Sequence, residues 1–335
     1  MDDKVTRVGV DVGFGITKAA VIRDGKMATL SFPSVIGNAE RLLKTRVLNG
    51  HRARALTVTY GGHEYYVGDD ALRHSTTLGA GQQDRQRIGS DGERILMLAA
   101  LARLGVTDAA IVTGLPVLWF DEEYKALRKS WKGEHHLLVN GTEYIITVSS
   151  VRVTPQPFGG FYSHFLDDEG RATVPEAEIM RAYGFLDVGW NTTDLTAIDG
   201  LQPVDKWGRG VKAGVRDVVG MVSDEIAHRH GMAMDAHEVD AAIRAGYLEV
   251  YGERHDIAKL VEDATASLAG QVRAAATSVW GNGERLAKVL IFGGGAAVMG
   301  KALLGTFPHN GVLLERPAMA NAVGFCRFAQ RMIWK

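Results

Sequence analysis

Residues 11–18 read DVGFGITK and residues 187–194 read DVGWNTTD, and each closes an apolar run, RVGVDVGFGITKAAVI in the first case and YGFLDVGWNTTDLTAI in the second. In both, a short β-branched or aromatic strand reaches Asp, turns through Gly and resumes as a second strand, which is a β-hairpin pattern. One such turn is ordinary, because Asp and Gly are common turn formers. Two at matching positions of two half-chains point to an internal duplication, on a spacing far too long for a solenoid repeat.

The chain has 335 residues, enough for two packed cores. It is 46% hydrophobic and 23% charged, the balance of a soluble globular protein. Lys and Arg total 38 against 39 Asp and Glu, so there is no bulk charge to attract nucleic acid directly. The lone Cys326 excludes an internal disulfide and reads as a small buried hydrophobe. MDDKVTRV is acidic and leads straight into a strand, and the most apolar run, ILMLAALARLGV, is too short to span a bilayer. The expectation is a cytoplasmic protein with no membrane partner.

Strands are expected over residues 6–12, 16–22 and 27–32, with Gly25 at the second turn. A less regular section runs to about residue 90, holding the basic stretch 41–54 and a Tyr-rich strand pair around TVTYGGHEYYVG. GERILMLAALARLG has helical spacing with Asp91 as N-cap, AAIVTGLP is a buried strand, and DEEYKALRKSW is an amphipathic helix. HHLLVNGTEYIITV is a hairpin, since Asn140-Gly141 suits a type I′ turn. The second half repeats the cycle from FLDVG through helices VRDVVGMVSDEIAHRH, AHEVDAAIRAGYLEV and DIAKLVEDATASLAGQVRAAATSVW to the strand KVLIF. Strand–turn–helix alternation in both halves predicts two α/β domains with mixed sheets, residues 1–165 and 166–317. The first carries an insertion at about 33–90, and a last helix within 318–335 is expected to pack back on it.

A glycine turn at a strand end lets backbone N–H groups approach a phosphate with no Cβ in the way. Gly13 and Gly15 offer that surface with Lys18 beside them, and Gly189 with Thr192 offers it from the second turn. Asp11 and Asp187 would then face one another across a cleft, and two carboxylates near a polyphosphate call for Mg²⁺ held through its waters. A third strand–Gly–helix turn, KVLIFGGGAAVMGKALL, approaches the dinucleotide fingerprint but has Val298 where the third Gly belongs. Glu315 lies about 20 residues beyond Gly295, so a local Rossmann unit is the rival reading. That rival leaves both DVG turns unexplained. The His residues show no metal spacing; His135, His136, His228 and His230 are expected at the surface. Asp167-Asp168-Glu169 is expected to be a solvated loop.

Together these stretches resemble the actin-like ATPases, the superfamily of actin, the Hsp70 chaperones and the sugar kinases. DVGFGITK resembles the first phosphate motif, DVGWNTTD the second and LIFGGGAAVMG the adenosine motif, in the family's order and across essentially the whole chain. GDDA at 68–71, VTGLPV at 112–117, VTPQPFGG at 153–160 and MANAVGF at 319–325 are most similar to the ParM/StbA-type segregation actins of bacteria and archaea. The resemblance implies a duplicated actin-like fold whose mixed sheets flank a nucleotide cleft. It implies Asp11 and Asp187 on Mg²⁺ through water, and Lys18 on the phosphates. Gly13, Phe14, Gly15, Gly189, Trp190, Asn191 and Thr192 would line the phosphate path. Gly293, Gly294, Gly295 and Val298 would face the nucleoside. Gln156 falls where the family positions the attacking water, which a carboxamide does by donating and accepting hydrogen bonds. Two departures stand out: Phe14 replaces a Ser that meets the terminal phosphate in actin, and Trp190 replaces a small or acidic residue.

The function implied is an ATPase, with GTP as the other candidate nucleotide, that polymerises into filaments and segregates plasmid or other DNA through a DNA-binding adaptor. A small-molecule kinase on the same fold and a weakly hydrolysing cytoskeletal scaffold are the alternatives. A kinase would need a carboxylate aligned with its acceptor, where this chain has Gln156.

Overall fold

The computed structural model describes residues 5–39, 55–75, 78–79 and 85–334, and the basic stretch 41–54 lies outside them. Two compact units result, residues 1–173 with 321–335 and residues 174–320.

The first unit opens with an antiparallel meander, β1 (Thr6–Val12), β2 (Ile16–Arg23) and β3 (Lys26–Pro33). The β2–β3 turn places Asp24 and Gly25 at φ 50° and 72°, the paired left-handed conformation of a type I′ hairpin. Then come β4 (Ile36–Asn38), β5 (Thr57–Tyr60), β6 (His63–Val67), α1 (Asp69–His74) and β7 (Leu78–Gly79). The helix α2 (Asp91–Arg103) is capped by Ser90, whose side chain accepts from the Glu93 amide; Asp91, expected as the cap, is the first helical residue. A Ser hydroxyl reaches the N3 amide as a carboxylate would, so the cap shifts by one position.

The unit continues with β8 (Asp108–Leu115), α3 (Val117–Trp131), β9 (Gly133–Val139), β10 (Thr142–Pro155) and α4 (Pro157–Phe165). β8 runs parallel to β1 and β10, and the full sheet order is β3-β2-β1-β8-β10-β9-β5-β6-β4-β7. Ile95 to Leu101 of α2 are all fully buried, a helix apolar on every side. α2 touches β2 and β1 as well as β10 and β5, so the sheet curls around it. His135 is buried in β9 and bonded to the Trp131 carbonyl, against the surface position expected, because alternate β9 residues face the core. His136, His228 and His230 are exposed as expected.

The second unit holds α5 (Glu176–Ile179), β11 (Tyr183–Val188), β12 (Thr193–Asp199), β13 (Gln202–Pro203), β14 (Arg209–Val211) and α6 (Val215–His230). It continues with α7 (Ala236–Ala245), β15 (Tyr247–Val250), β16 (Glu253–Asp256), α8 (Ala258–Trp280), β17 (Lys288–Phe292), α9 (Ala296–Leu304) and β18 (Gly311–Leu313). The helix expected to run through AHEVDAAIRAGYLEV ends at Gly246, which caps it in the left-handed region; YLEV is instead strand β15. The sheet order is β13-β12-β11-β17-β18.

That order repeats the core of the first sheet. β1 pairs antiparallel with β2 and parallel with β8, and β8 is parallel to β10; β11 pairs antiparallel with β12 and parallel with β17, and β17 is parallel to β18. The duplication read from the two DVG turns is therefore a duplication of topology, a mixed α/β sheet built twice. α10 (Ala320–Arg331) packs on β1 and α4 of the first unit, with Ala322, Phe325 and Cys326 fully buried. Burial pushes the Cys326 thiol up to about 12, so it is an inert core residue. Asp168 of the acidic loop pairs with Arg327 of α10 at 2.9 Å. Among the described residues no helix is long and apolar enough to cross a membrane.

Candidate functional site

In the first unit, cross-strand register puts Asp11 of β1 opposite Lys18 of β2. Both are buried, and Lys18 Nζ donates to Asp11 Oδ2 at 3.1 Å. The turn between them closes with the Gly13 amide on the Ile16 carbonyl at 3.2 Å, and the Gly15 carbonyl accepts from the Ser34 amide. Phe14 packs edge-on against Trp119 at 6.0 Å. Gln156 follows β10, donates its amide to the Leu115 carbonyl at the end of β8, and begins α4. Because β1, β8 and β10 are parallel neighbours, Asp11 and Gln156 emerge at the same carboxyl edge, roughly 10 Å apart by two strand spacings. Open α/β sheets bind ligands at that edge.

Sequence reading missed Arg87, which lies near the end of the less regular section, in a 3₁₀ turn. Its buried guanidinium donates to the carbonyls of Val12 and Gly13, behind the first glycine turn. Burial lowers the Arg87 pKa, and the charges of Glu93 and then Asp11 oppose that. Glu93 is itself buried, and burial pushes its carboxyl from an ordinary 4.5 to about 7, with the Arg87 charge the largest opposing influence. The folded chain thus holds a proton on Glu93 that the unfolded chain releases between those two values. Stability from this group is greatest at acid pH and is lost as pH rises through about 7. Glu93→Gln, which mimics the protonated acid, should gain on the wild type by roughly 3 kcal/mol more at about pH 8 than at about pH 4. Urea titrations of both proteins across that range measure it, and parallel pH profiles would contradict the shift.

In the second unit the same register pairs Asp187 of β11 with Asp194 of β12, so the position of Lys18 is taken by a second carboxylate. Burial pushes Asp194 up to about 6, while a Thr192 hydrogen bond opposes the rise. Asp187 is buried and lies level with Phe292, the last residue of β17. The Gly189 amide closes its turn on the Thr192 carbonyl at 2.7 Å, and the Gly295 amide donates to the Val188 carbonyl at 2.8 Å. Gly293 has φ 101°, and any Cβ there would collide with the Asp187 carboxylate. A Cβ on Gly295 would meet Val215 at 2.6 Å. Gly189, Gly293 and Gly295 thus stand beside Asp187 at positions where a Cβ would clash. Gly294 beside it is half-buried. Val298 lies one turn into α9, with its amide on the Gly295 carbonyl and its side chain against the core. Trp190 stacks on His237 with rings 6.4 Å apart and nearly parallel, so its ring has a protein partner.

Each unit leaves polar groups open to a ligand. In the second unit the Asn191 Oδ1 is buried and, among the described residues, has no hydrogen-bond partner, so it can accept from a water or a ligand hydroxyl. Among the described residues no backbone acceptor takes the Phe14 or Gly15 amide. At Gly293 and Gly295 the missing Cβ lets this turn pack directly against Asp187, Val188 and Val215. Within the second unit, Asp187 and Asp194 put two carboxylates opposite one another, oxygen donors of the kind a hard cation takes. Among the described residues no group of three or more His, Cys, Asp or Glu side chains converges to hold a metal directly.

A family model for the N-terminal domain of actin-like proteins matches residues 9–159, and one for the C-terminal domain of the archaeal MreB-like actin homologue matches residues 185–305. No curated protein sequence matches the chain. Among solved structures it is similar to a non-polymerisable quadruple mutant of the pCBH ParM, with TM-score 0.76 and 21% identity over 98% of this chain and 99% of that one. It is similar to the archaeal actin homologue Ta0583 in complex with ADP, with TM-score 0.78 and 21% identity over 98% of this chain and all (100%) of that one. A ParM from a 15-stranded Clostridium botulinum filament gives TM-score 0.76 at 21% identity, covering 98% of this chain and 100% of the other. At such identities the likeness is one of fold.

Proposed function

The chain belongs to the actin-like protein superfamily, and from that premise we propose that it is a nucleoside triphosphatase whose bound ATP, or GTP, with Mg²⁺ drives assembly into filaments. The observation that carries this reading is the repeated hairpin. Each unit ends its first parallel strand in a buried Asp followed by a glycine turn, Asp11 with Gly13 and Asp187 with Gly189. Each turn would give backbone amides to the phosphates of one nucleotide, with the glycine cluster at 293–295 on its nucleoside. Mg²⁺, when bound, would neutralise phosphate charge, with Asp11 and Asp187 reaching it through water. Gln156 would orient the attacking water, its carboxamide acting as donor and acceptor at once.

Self-association as a filament is supported by the likeness to a ParM whose structure is that of a filament. Closure around nucleotide promotes assembly only as far as nucleotide prefers the assembling conformation. The cargo would be plasmid or other DNA reached through an adaptor, which the near-neutral charge of -1 permits. Purified protein at micromolar concentration should sediment with Mg-ATP or Mg-GTP and stay in the supernatant with ADP. Flat light scattering with both triphosphates, across a range of salt, would remove the filament reading. Release of labelled phosphate as orthophosphate rather than onto a small acceptor separates this function from a kinase.

A further inference from the structure

The nucleotide reading leaves unused two buried ionisable groups behind the first turn, Arg87 and Glu93. Arg87 is 4% exposed, and taking a guanidinium out of water is costly, while Glu93, whose charge acts on it, is 3% exposed. Something other than stability therefore favours a cation here. Its placement suggests what. The Arg87 guanidinium donates to the carbonyls of both Val12 and Gly13, and its carbon lies 4.8 Å over the Phe14 ring. In a trans peptide the carbonyl and the following N–H point in opposite directions. Holding those two carbonyls toward Arg87 turns the amides of Gly13 and Phe14 away from it. The Gly13 amide closes the turn on Ile16, whereas among the described residues no backbone acceptor takes the Phe14 amide.

We infer that Arg87 is the positioning residue of the first phosphate turn, holding its carbonyl side so that the Phe14 amide is presented to a phosphate oxygen of the bound nucleotide. The inference rests on the nucleotide reading above and names the residue that aims one of its donors. Position 14 has no hydroxyl, so the backbone amide is the donor left there and its direction matters. A guanidinium suits the task because its planar fork makes two bonds in fixed directions, which a lysine ammonium does not. Glu93, whose charge acts on Arg87, is itself held by the Gly89 amide, from which it accepts at 2.7 Å.

The test uses the full chain as wild type, Arg87→Lys, and Arg87→Met combined with Glu93→Gln so that no charge is left buried alone. Binding of Mg-ADP is measured by calorimetry, and the Phe14 amide is followed by NMR in ¹⁵N-phenylalanine-labelled protein. The expected result is affinity weakened about tenfold or more in the double variant, an intermediate loss in Arg87→Lys, and a Phe14 amide resonance that no longer moves with ADP. Wild-type affinity and a retained Phe14 shift in both variants, while Asp187→Ala loses binding, would overturn this inference and leave the nucleotide site standing. Should the wild type bind no nucleotide, both readings fall. Should the double variant not fold, Arg87→Lys decides: weakened binding at unchanged Tm supports the role, and wild-type binding refutes it.

Discussion

Asp187→Ala is expected to abolish Mg-dependent nucleotide hydrolysis, by roughly a hundredfold or more, while the chain stays folded. The two halves of that expectation have separate causes. Loss of activity follows if the carboxylate holds the cation that offsets charge on the transferring phosphate, since nothing neutral replaces it. Retention of the fold follows from the register. Asp187 stands opposite Asp194 across β11 and β12, and like charges directly opposed are destabilising. Asp187 is also 6% exposed, and its truncation removes a carboxylate and no packed apolar group. The backbone of the turn is held by the Gly189–Thr192 and Gly295–Val188 bonds, neither of which involves the side chain. Phosphate release assayed beside circular dichroism and thermal melting separates the two effects. Turnover at the wild-type rate would refute the assignment of this residue to the site.

What the sequence discloses about the site, and what it hides, divides along chain distance. The hairpins were legible because a turn's chemistry lies within it: Asp24-Gly25 and Asn140-Gly141 declare left-handed φ values by composition alone. The duplication was legible because both copies keep the same Asp-Val-Gly. Asp194 was missed although its signal was local. It stands seven residues after Asp187, as Lys18 stands after Asp11, and counting that interval identifies the facing position on the second strand. Arg87 is a different case. Its reach to Val12 and Gly13 spans the inserted section, and no periodicity or spacing connects a 3₁₀ turn with a hairpin at that separation. His135 shows the same limit: the pair His135-His136 reads as polar, yet strand alternation sends one ring inward and one outward.

The largest stability effect is expected at Gly324 of α10, and it reaches the site through the backbone. A Cβ on Gly324 would collide with the Gly159 carbonyl and lie 2.6 Å from the Ser163 amide, all in α4. On the neighbouring strand, a Cβ on Gly9 would collide with the Ala322 carbonyl and the Cys326 amide. These obstacles are main-chain atoms, which no rotamer change can move. Gly324→Ala must therefore lift α10 from α4, exposing Phe325 and Cys326, now fully buried, and loosening β1 two residues before Asp11. Overpacking of this kind costs about 3 kcal/mol or more, the upper end of the range for buried insertions. The same substitution at Gly220, exposed in α6 with nothing within 4 Å of its Cβ, should instead stabilise by about 0.5–1 kcal/mol through helix propensity. Denaturant unfolding of the two variants, with hydrogen exchange at β1, reads the contrast directly. If Gly324→Ala melts like the wild type and β1 stays protected, α10 does not rest on α4 as closely as these contacts require. If it loses protection first at β1, the last helix of the chain is what holds the strand carrying the first phosphate turn.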